Sequence, residues 1–551
     1  MRRVATDPAV FARERLTERV PPLVAELRRR WFEIGVALCA LGVGVFLIVQ
    51  LTAWPPHEDE TLALFIGRKS LPSLLDTVLD QRGGAPLHFV LAWIVAHTGG
   101  GLVGLRLVSA IFATATVPVV GLLAARIAGK ATALGTTVLC SASWMLLFHG
   151  IYGRMYSLFL FTSAVSFLAL LNAMEKKTKR AWALWVVAIL FCVAAHPYGA
   201  LVVAAQGVYV LLTRTSLRTA ITAFAVVAVI GIPFWRTDLV LAGRFDVGVA
   251  QGSSSLGSVS AIASYLKLVA GDFTAGYSPV ITIVLLLALA GFVALIVRRP
   301  RSALLTACVV VTPLAALILA KLGSAAPMSR HLIFILPFFA LVVAEGTIRV
   351  ASLGRRLAPV IAVAGILALL PAEVAWGVHQ TPELYRGEAS AHVADRAAAA
   401  GWLASTAQSN DVLFGYEPLY LQAWDRGARI SKLVIPRADA KLALSTLQSA
   451  KKPLGHGVWV FDASDTTNGV RRQTIQLRYP QPASEFVVEK FGPFLVIRSV
   501  APTVCVRNYL KLARRVELVG ASLGLGDGEV NLATVLQALG HLANEKNPPA
   551  C

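Results

Sequence analysis

The chain has 551 residues, of which 56% are hydrophobic, and a mean hydropathy of +0.66. Soluble domains are roughly 45–50% apolar, so the composition excludes an ordinary globular protein and predicts a membrane protein. The net charge of +20 lies largely in the N-terminal tail and in short basic segments between apolar runs, which favours membrane lipids over nucleic acid as partners.

The alternation of apolar and basic segments predicts both the spans and their direction. Five basic segments separate the runs, at residues 126–130, 176–180, 214–218, 298–301 and 349–356. Lys and Arg collect at the cytoplasmic ends of membrane helices, so the basic tail 1–31 is predicted to be cytoplasmic. About eleven spans follow, at residues 32–53, 105–128, 131–149, 156–173, 181–195, 199–212, 220–235, 280–297, 302–320, 331–348 and 357–376.

Two further regions are predicted outside the membrane. The outer loop 54–104 contains an apolar stretch, 85–97, that is too short to span and is predicted to lie at the outer interface. After the transmembrane domain 32–378, helices and strands alternate over residues 379–500, which predicts an extracytoplasmic α/β domain. Its predicted helices are 389–407 and 442–449, and its predicted strands are 411–414, 432–435, 457–461 and 486–497. The tail 501–551 has no assigned role, although Cys505 and Cys551 are a candidate disulfide on this side.

This topology places a set of polar side chains at one depth on the outer face, as a membrane-embedded active site requires. Carboxylates follow the first span, a histidine lies in the interfacial stretch, and basic and aromatic residues fill the later outer turns. The candidates are Asp59, Glu60, His88, Arg154, Tyr156, His196, Tyr198 and Arg330. Each type also has structural uses, since interfacial arginines reach lipid headgroups and turn histidines cap helices.

The run from Glu58 to Thr61 resembles the Asp-Glu motif of GT-C glycosyltransferases of the protein O-mannosyltransferase type. The similarity continues, in order, through residues 85–89, 105–110, 154–156, 196–198 and 329–337. The 4-amino-arabinose transferases that modify lipid A share the same plan and remain an alternative.

The resemblance implies an inverting transfer of one sugar, on the extracytoplasmic face, from a polyprenyl-phosphate donor to a hydroxyl of a glycan, lipid or protein. It implies that Asp59 is the general base and that Glu60 orients the acceptor or the donor phosphate. Arg330, assisted by Arg154, would bind the phosphate.

The chain departs from the resemblance at Tyr152, where many relatives carry a carboxylate. Dependence on a divalent metal therefore stays open, with His88 and His196 as candidate nitrogen ligands. Two other function classes also stay open. One is a transporter or flippase-like protein, although the sequence shows neither the internal repeats nor the mid-span charges typical of that class. The other is a non-catalytic relative whose α/β domain is a binding module.

Overall fold

The apolar runs form helices in the computed structural model, which describes residues 30–245, 256, 258–319, 328–386, 392–425, 431, 433–435, 446–447, 449–450, 453–462 and 483–502. The helices up to residue 386 are α1 Trp31–Val49, α2 Glu58–Gly67, α3 Leu71–Asp76, α4 Pro86–His97, α5 Gly101–Ala128, α6 Lys130–Ala142, α7 Trp144–Ile151, α8 Tyr156–Lys176, α9 Lys179–Ala195, α10 Gly199–Thr213, α11 Leu217–Ile230, α12 Ile232–Phe245, α13 Val259–Phe273, α14 Ser278–Arg298, α15 Pro300–Leu319, α16 Leu336–Ser352, α17 Ala358–Gln380 and α18 Pro382–Arg386. A π-helical turn, Thr77–Arg82, and two 3-10 segments, Ser329–Ile335 and Arg355–Leu357, complete this part.

The protein is polytopic. Within the described residues, 7 helices are long and apolar enough to cross a membrane, and 9 segments qualify if two bent pairs count as one span each. The pair α6 and α7 bends by 52°, and the pair α11 and α12 bends by 58°. Helices also form at the two other predicted spans, but α9 and α10 have only 17 and 15 residues. Both are shorter than the roughly 20 residues that cross a bilayer without thinning it.

Basic segments meet at one end of the helical bundle. Lys130 pairs with Glu33 at 3.0 Å, and Arg126 pairs with Glu175 at 2.6 Å. Arg299 donates to a carbonyl oxygen at the C-terminal end of α5, at 3.2 Å. These contacts join the start of α1, the α5–α6 turn, the end of α8 and the α14–α15 turn. The loop after α1 and the turns after α7 and α9 lie at the opposite end of the bundle from these basic segments.

The C-terminal part is an α/β unit with helices α19 Val393–Thr406 and α20 Pro418–Asp425. Its strands are β1 Val412–Phe414, β2 Val434–Ile435, β3 Gly457–Asp462, β4 Phe486–Phe491 and β5 Phe494–Ser499. They form one sheet in the order β2-β1-β3-β5-β4, in which β1 is parallel to β2 and β3 and the remaining pairs are antiparallel.

Two details of this unit differ from the sequence-based expectation. The single strand predicted over 486–497 is a hairpin, because the chain turns at Gly492, whose φ is +52°. The sequence did not predict α20. Most of the predicted helix 442–449, and the tail with Cys505 and Cys551, lie outside the described residues.

Helices α14 and α16 pack with their backbones in close contact. A Cβ atom added to Gly346 would overlap the carbonyl oxygen of Leu287, and one added to Gly291 would overlap that of Val342. Small residues allow this approach, and close packing is a main source of helix association within a membrane. The glycine pair therefore fixes the distance between α14 and the helix that follows the Ser329–Ile335 segment.

We expect Gly346→Ala to destabilise the protein by about 1–3 kcal/mol, because the two backbones must separate to admit the methyl group. The measurement is the apparent Tm in detergent micelles. Gly42→Ala in α1 is the matched control, since a Cβ there meets nothing within 4 Å. A Gly346→Ala protein that melts at the same temperature as the Gly42→Ala protein would contradict the packing argument.

Candidate active site

The first turn of α2 is fixed by its own capping contacts. His57 is the N-cap residue, and its Nδ1 atom accepts from the Asp59 N–H at 3.0 Å. Glu60 Oε2 accepts in return from the His57 N–H at 3.2 Å, which completes a capping box. Three acidic residues in the first turn, Glu58, Asp59 and Glu60, also suit the positive end of the helix dipole.

These three consecutive carboxylates contact three different parts of the structure. Glu58 Oε1 accepts from the Tyr416 N–H of the α/β unit at 3.0 Å. Asp59 Oδ2 pairs with Arg154 Nη1 at 2.5 Å, and Glu60 pairs with Arg106 of α5. Successive side chains point about 100° apart around a helix, so neighbours in sequence face different surroundings.

Glu60 lies in a buried clamp. Arg106 binds it with two hydrogen bonds, Nε to Oε1 at 2.8 Å and Nη2 to Oε2 at 2.6 Å. The Gly153 N–H donates to the same carboxylate at 2.7 Å, and Glu60 has no exposed surface. Arg106 also donates to three carbonyl oxygens between residues 51 and 55. The contacts give the Glu60 carboxylate a structural use, while the substrate-orienting role that the resemblance implies stays a prediction.

Arg106 is not among the site residues predicted from the sequence, although it lies in the similar segment 105–110. A signal was present, because Arg106 is a charged residue within an apolar run, and such a residue is expected to have a buried partner. The sequence did not say which of three adjacent acids is that partner.

Arg106→Gln should destabilise the protein by about 3–5 kcal/mol, because it leaves the Glu60 charge buried without its counter-ion. The exposed pair of Arg126 and Glu175 provides the control, and Arg126→Gln should cost at most about 1 kcal/mol. Both variants are compared by apparent Tm in detergent. Equal melting temperatures for the two variants would show that the clamp does not contribute as described.

Asp59 is the carboxylate of this turn that pairs with a guanidinium and stays accessible. Its side chain is 41% exposed, against 15% for its partner Arg154. A second guanidinium, that of Arg330, lies 5.6 Å from the centre of the Tyr156 ring, and that of Arg154 lies 5.8 Å from it. Desolvation acts to raise the pKa of the Asp59 carboxyl, but the positive charge of Arg154, with contributions from His57 and Arg330, lowers it overall.

Aromatic and imidazole rings surround Tyr156. The His149 ring lies 4.6 Å from that of Tyr156, and the His196 ring lies 5.6 Å from it. Tyr198 stacks on His331 with a centroid distance of 5.2 Å, and His331 lies 5.7 Å from His196. These contacts bring together the end of α7, the start of α8, the α9–α10 turn and the Ser329–Ile335 segment.

Two histidines of the candidate site that lie outside the spans, His88 and His196, are uncharged. Burial, together with the charge of Arg154, lowers the pKa of His88 to about 3. Burial likewise lowers the pKa of His196 to about 3, together with the charges of Arg154 and Arg330. Both imidazoles are therefore neutral at physiological pH, and each ring carries one N–H donor.

Several buried nitrogen atoms have no hydrogen-bond partner among the residues that the structure describes. Those on predicted site residues and on neighbours of Tyr156 include His88 Nε2, His149 Nδ1, Arg330 Nε and His331 Nδ1. Unsatisfied buried donors are costly, so a cluster of them marks a place for a polar ligand or ordered water.

Tyr152 takes part in positioning α2. Its hydroxyl lies 3.0 Å from His57 Nδ1, the same atom that caps α2, and its ring stacks on Phe148 at 5.2 Å. Burial, followed by the negative charge of Asp59, raises the pKa of the Tyr152 phenol, so the hydroxyl keeps its proton. At the position where the resemblance leads us to expect an acid, the chain has a neutral hydrogen-bonding group.

The residues at the site do not fit a divalent metal. Asp59 and Glu60 each face an arginine, which already balances their charge. No group of three or more His, Cys, Asp or Glu side chains with metal-binding geometry occurs in the described part of the chain. We therefore assign no chemical step to a metal.

Comparison with known proteins is informative at the level of structure. No family model and no curated protein matches the chain. ArnT from Cupriavidus metallidurans in the apo state is similar at 18% identity, with 86% of this chain and 98% of that chain covered and a TM-score of 0.50. The chain has the GT-C fold.

Two other solved structures are similar at lower scores. The same ArnT bound to undecaprenyl phosphate gives 16% identity, coverage of 86% and 98%, and a TM-score of 0.49. An oligosaccharyltransferase from Archaeoglobus fulgidus in the apo form gives 12% identity, coverage of 78% and 70%, and a TM-score of 0.49. In this GT-C fold the candidate site is built from the loop after α1, two turns between helices and the 3-10 segment before α16.

Proposed function

We propose that the protein is an integral-membrane glycosyltransferase that moves a sugar from a polyprenyl-phosphate donor to an acceptor hydroxyl, with inversion. The observation that carries the proposal is the arrangement at Tyr156: an accessible carboxylate, Asp59, paired with Arg154, and a second guanidinium, Arg330, on the same ring. The motif resemblance and the GT-C fold support the same reaction class. The acceptor hydroxyl would belong to a glycan, a lipid or a protein.

The two arginines would bind the donor phosphate. Guanidinium groups bind phosphate through paired, charge-assisted hydrogen bonds, and they stabilise the negative charge that grows on the leaving phosphate. His88 and His196, being neutral, would add hydrogen bonds without changing the charge of the site, and Tyr156 and Tyr198 would line it. Since neither histidine titrates near pH 7, donor binding would depend little on pH between about 5 and 8.

Asp59 would act as the general base. Its carboxylate accepts the proton of the acceptor hydroxyl while the oxygen bonds to the anomeric carbon, and the bond from that carbon to the phosphate oxygen breaks with its electron pair. The ion pair with Arg154 makes Asp59 a weak base in the structure described. A bound phosphate would draw part of the Arg154 charge away from Asp59 and raise its pKa. Donor binding would thereby prepare the base.

The orientation in the membrane forms part of the proposal. The basic segments that meet at one end of the bundle would face the cytoplasm, together with the N-terminal tail. The transmembrane domain 32–378 would then present the site at the opposite face, with the α/β domain 379–500 on the extracytoplasmic side.

Asp59→Asn should lower the rate of sugar transfer by about 10²–10⁴-fold, because it removes the proton acceptor while keeping the size of the side chain. Binding of the donor lipid should survive. Arg330→Gln should weaken both binding and turnover, since the guanidinium meets phosphate in the ground state and in the transition state. The assay is transfer of labelled sugar from polyprenyl phosphate in proteoliposomes, with donor binding measured in parallel.

Asp80→Asn is the matched control, because Asp80 is also 41% exposed and pairs with an arginine, Arg236, at 2.7 Å. It should leave transfer unchanged. Near wild-type transfer by Asp59→Asn would reject Asp59 as the base.

A further inference from the structure

The α/β unit contacts the turn that carries Asp59. Tyr416 follows β1, and its backbone makes two hydrogen bonds with the start of α2. The Tyr416 N–H donates to Glu58 Oε1 at 3.0 Å, and the Thr61 hydroxyl donates to the Tyr416 carbonyl oxygen. The two contacts lie on either side of Asp59 in the sequence, so the backbone of one residue of the α/β unit, Tyr416, holds the turn that presents the candidate base.

The contact continues along α2. The Phe65 ring meets Trp424 of α20 edge-on at 4.9 Å and Tyr416 at 5.7 Å. Arg68 pairs with Asp425 at 3.1 Å and lies over the Trp424 ring at 4.7 Å. The buried apolar residues of α2 and those of α19, α20, β1, β3 and β5 belong to one core cluster.

The residues that make these contacts lie along one side of α2. Residues 58, 61, 65 and 68 are spaced by three or four positions, which places them along one side of α2. That side faces the α/β unit, whereas Asp59 and Glu60 point toward the bundle and its arginines. The α/β unit therefore fixes the rotation of α2 about its own axis.

The rotation matters because a carboxylate lies about 5–6 Å from a helix axis, so a turn of about 10° moves it by about 1 Å. A misplacement of that size can reduce a rate by up to about 100-fold. The ion pair of Glu60 with Arg106 limits the same rotation from another side of the helix. This ion pair and the contact with the α/β unit together keep Asp59 beside Arg154.

We propose that the α/β domain positions α2 for catalysis. Glu58 is the positioning residue, because its hydrogen bond to the α/β domain fixes the orientation of the turn that carries Asp59. This inference rests on the proposed function of Asp59. It gives Glu58 a role that the sequence did not indicate, and it gives the α/β domain a role other than that of a binding module.

The test compares two substitutions at Glu58. Glu58→Ala removes the acceptor of the Tyr416 N–H and should lower kcat by about 10–100-fold, with donor-lipid binding unchanged within about two-fold. Glu58→Gln keeps an oxygen that accepts the same hydrogen bond, so it should restore kcat to near the wild-type value. Asp425→Asn removes the charge of the Arg68–Asp425 pair, which is solvent-exposed and lies at the far end of α2 from the first turn. Because exposed ion pairs contribute little, this control should leave kcat unchanged.

A second readout does not depend on turnover. Modification of Asp59 by a water-soluble carbodiimide with an amine nucleophile, measured by mass spectrometry, reports whether its carboxylate is held at Arg154. We expect Glu58→Ala to raise the modification of Asp59 several-fold, as Arg154→Gln should, and Glu58→Gln to leave it at the wild-type level.

Two results would overturn the inference. One is wild-type kcat and wild-type Asp59 modification in Glu58→Ala. The other is a loss of kcat accompanied by equal losses of apparent Tm and donor binding, which would show a general structural role. Failure of the proposed function is distinguishable, because a wild-type protein that transfers no sugar can still show the dependence of Asp59 modification on Glu58.

Discussion

The buried ion pair between Glu60 and Arg106 is the contact on which the arrangement of the site depends. Both side chains are almost fully removed from solvent, and the guanidinium binds the carboxylate through two hydrogen bonds. Separating such a pair leaves an uncompensated charge in an apolar environment, which costs several kcal/mol. The pair also ties α2 to α5 and, through the Gly153 N–H, to the turn that carries Arg154. The site therefore inherits its geometry from a contact outside the proposed chemistry.

Because the ion pair fixes the orientation of α2, its three adjacent acids have different surroundings. Glu60 faces the bundle and Glu58 faces the α/β unit, and both use their oxygens for hydrogen bonds within the chain. Asp59, between them, has 41% of its side chain accessible and an arginine as its partner. Helix α2 contacts the bundle on one side and the α/β unit on another, so the Asp59 carboxylate points in a defined direction. A proposed general base needs this preorganisation. The side chains of Asp59 and Glu60 both end in a carboxylate, and only their surroundings differ: the first is accessible and the second is buried.

The sequence predicted the class of fold well because hydropathy and charge are local properties. Apolar runs between basic segments became helices, and polar residues from several turns, among them Asp59, Arg154 and Arg330, lie close to Tyr156 or to each other. The short helices α9 and α10 show the limit of counting spans by hydropathy, since their ends are set by the turns at His196 and Arg214.

The contacts of Glu58 and Glu60 could not be predicted from the sequence. Three consecutive acids look alike in one dimension, and their partners, Tyr416 and Arg106, are distant in the chain and set by tertiary packing. Similarly, the Gly492 turn that divides the predicted strand 486–497 becomes visible only when β4 pairs with β5. The contact of the Tyr152 hydroxyl with the cap of α2 is likewise set by tertiary packing.

A structure of the full-length protein in lipid nanodiscs with a bound polyprenyl phosphate would test the central claim most directly. We expect the phosphate group within hydrogen-bond distance of the Arg154 and Arg330 guanidiniums. We also expect the separation of Arg154 Nη1 from Asp59 Oδ2 to increase beyond the 2.5 Å found here, with the Asp59 carboxylate facing the space beside the phosphate. A phosphate bound away from both arginines, or an Asp59 carboxylate that remains closed against Arg154 when the lipid is bound, would contradict the account.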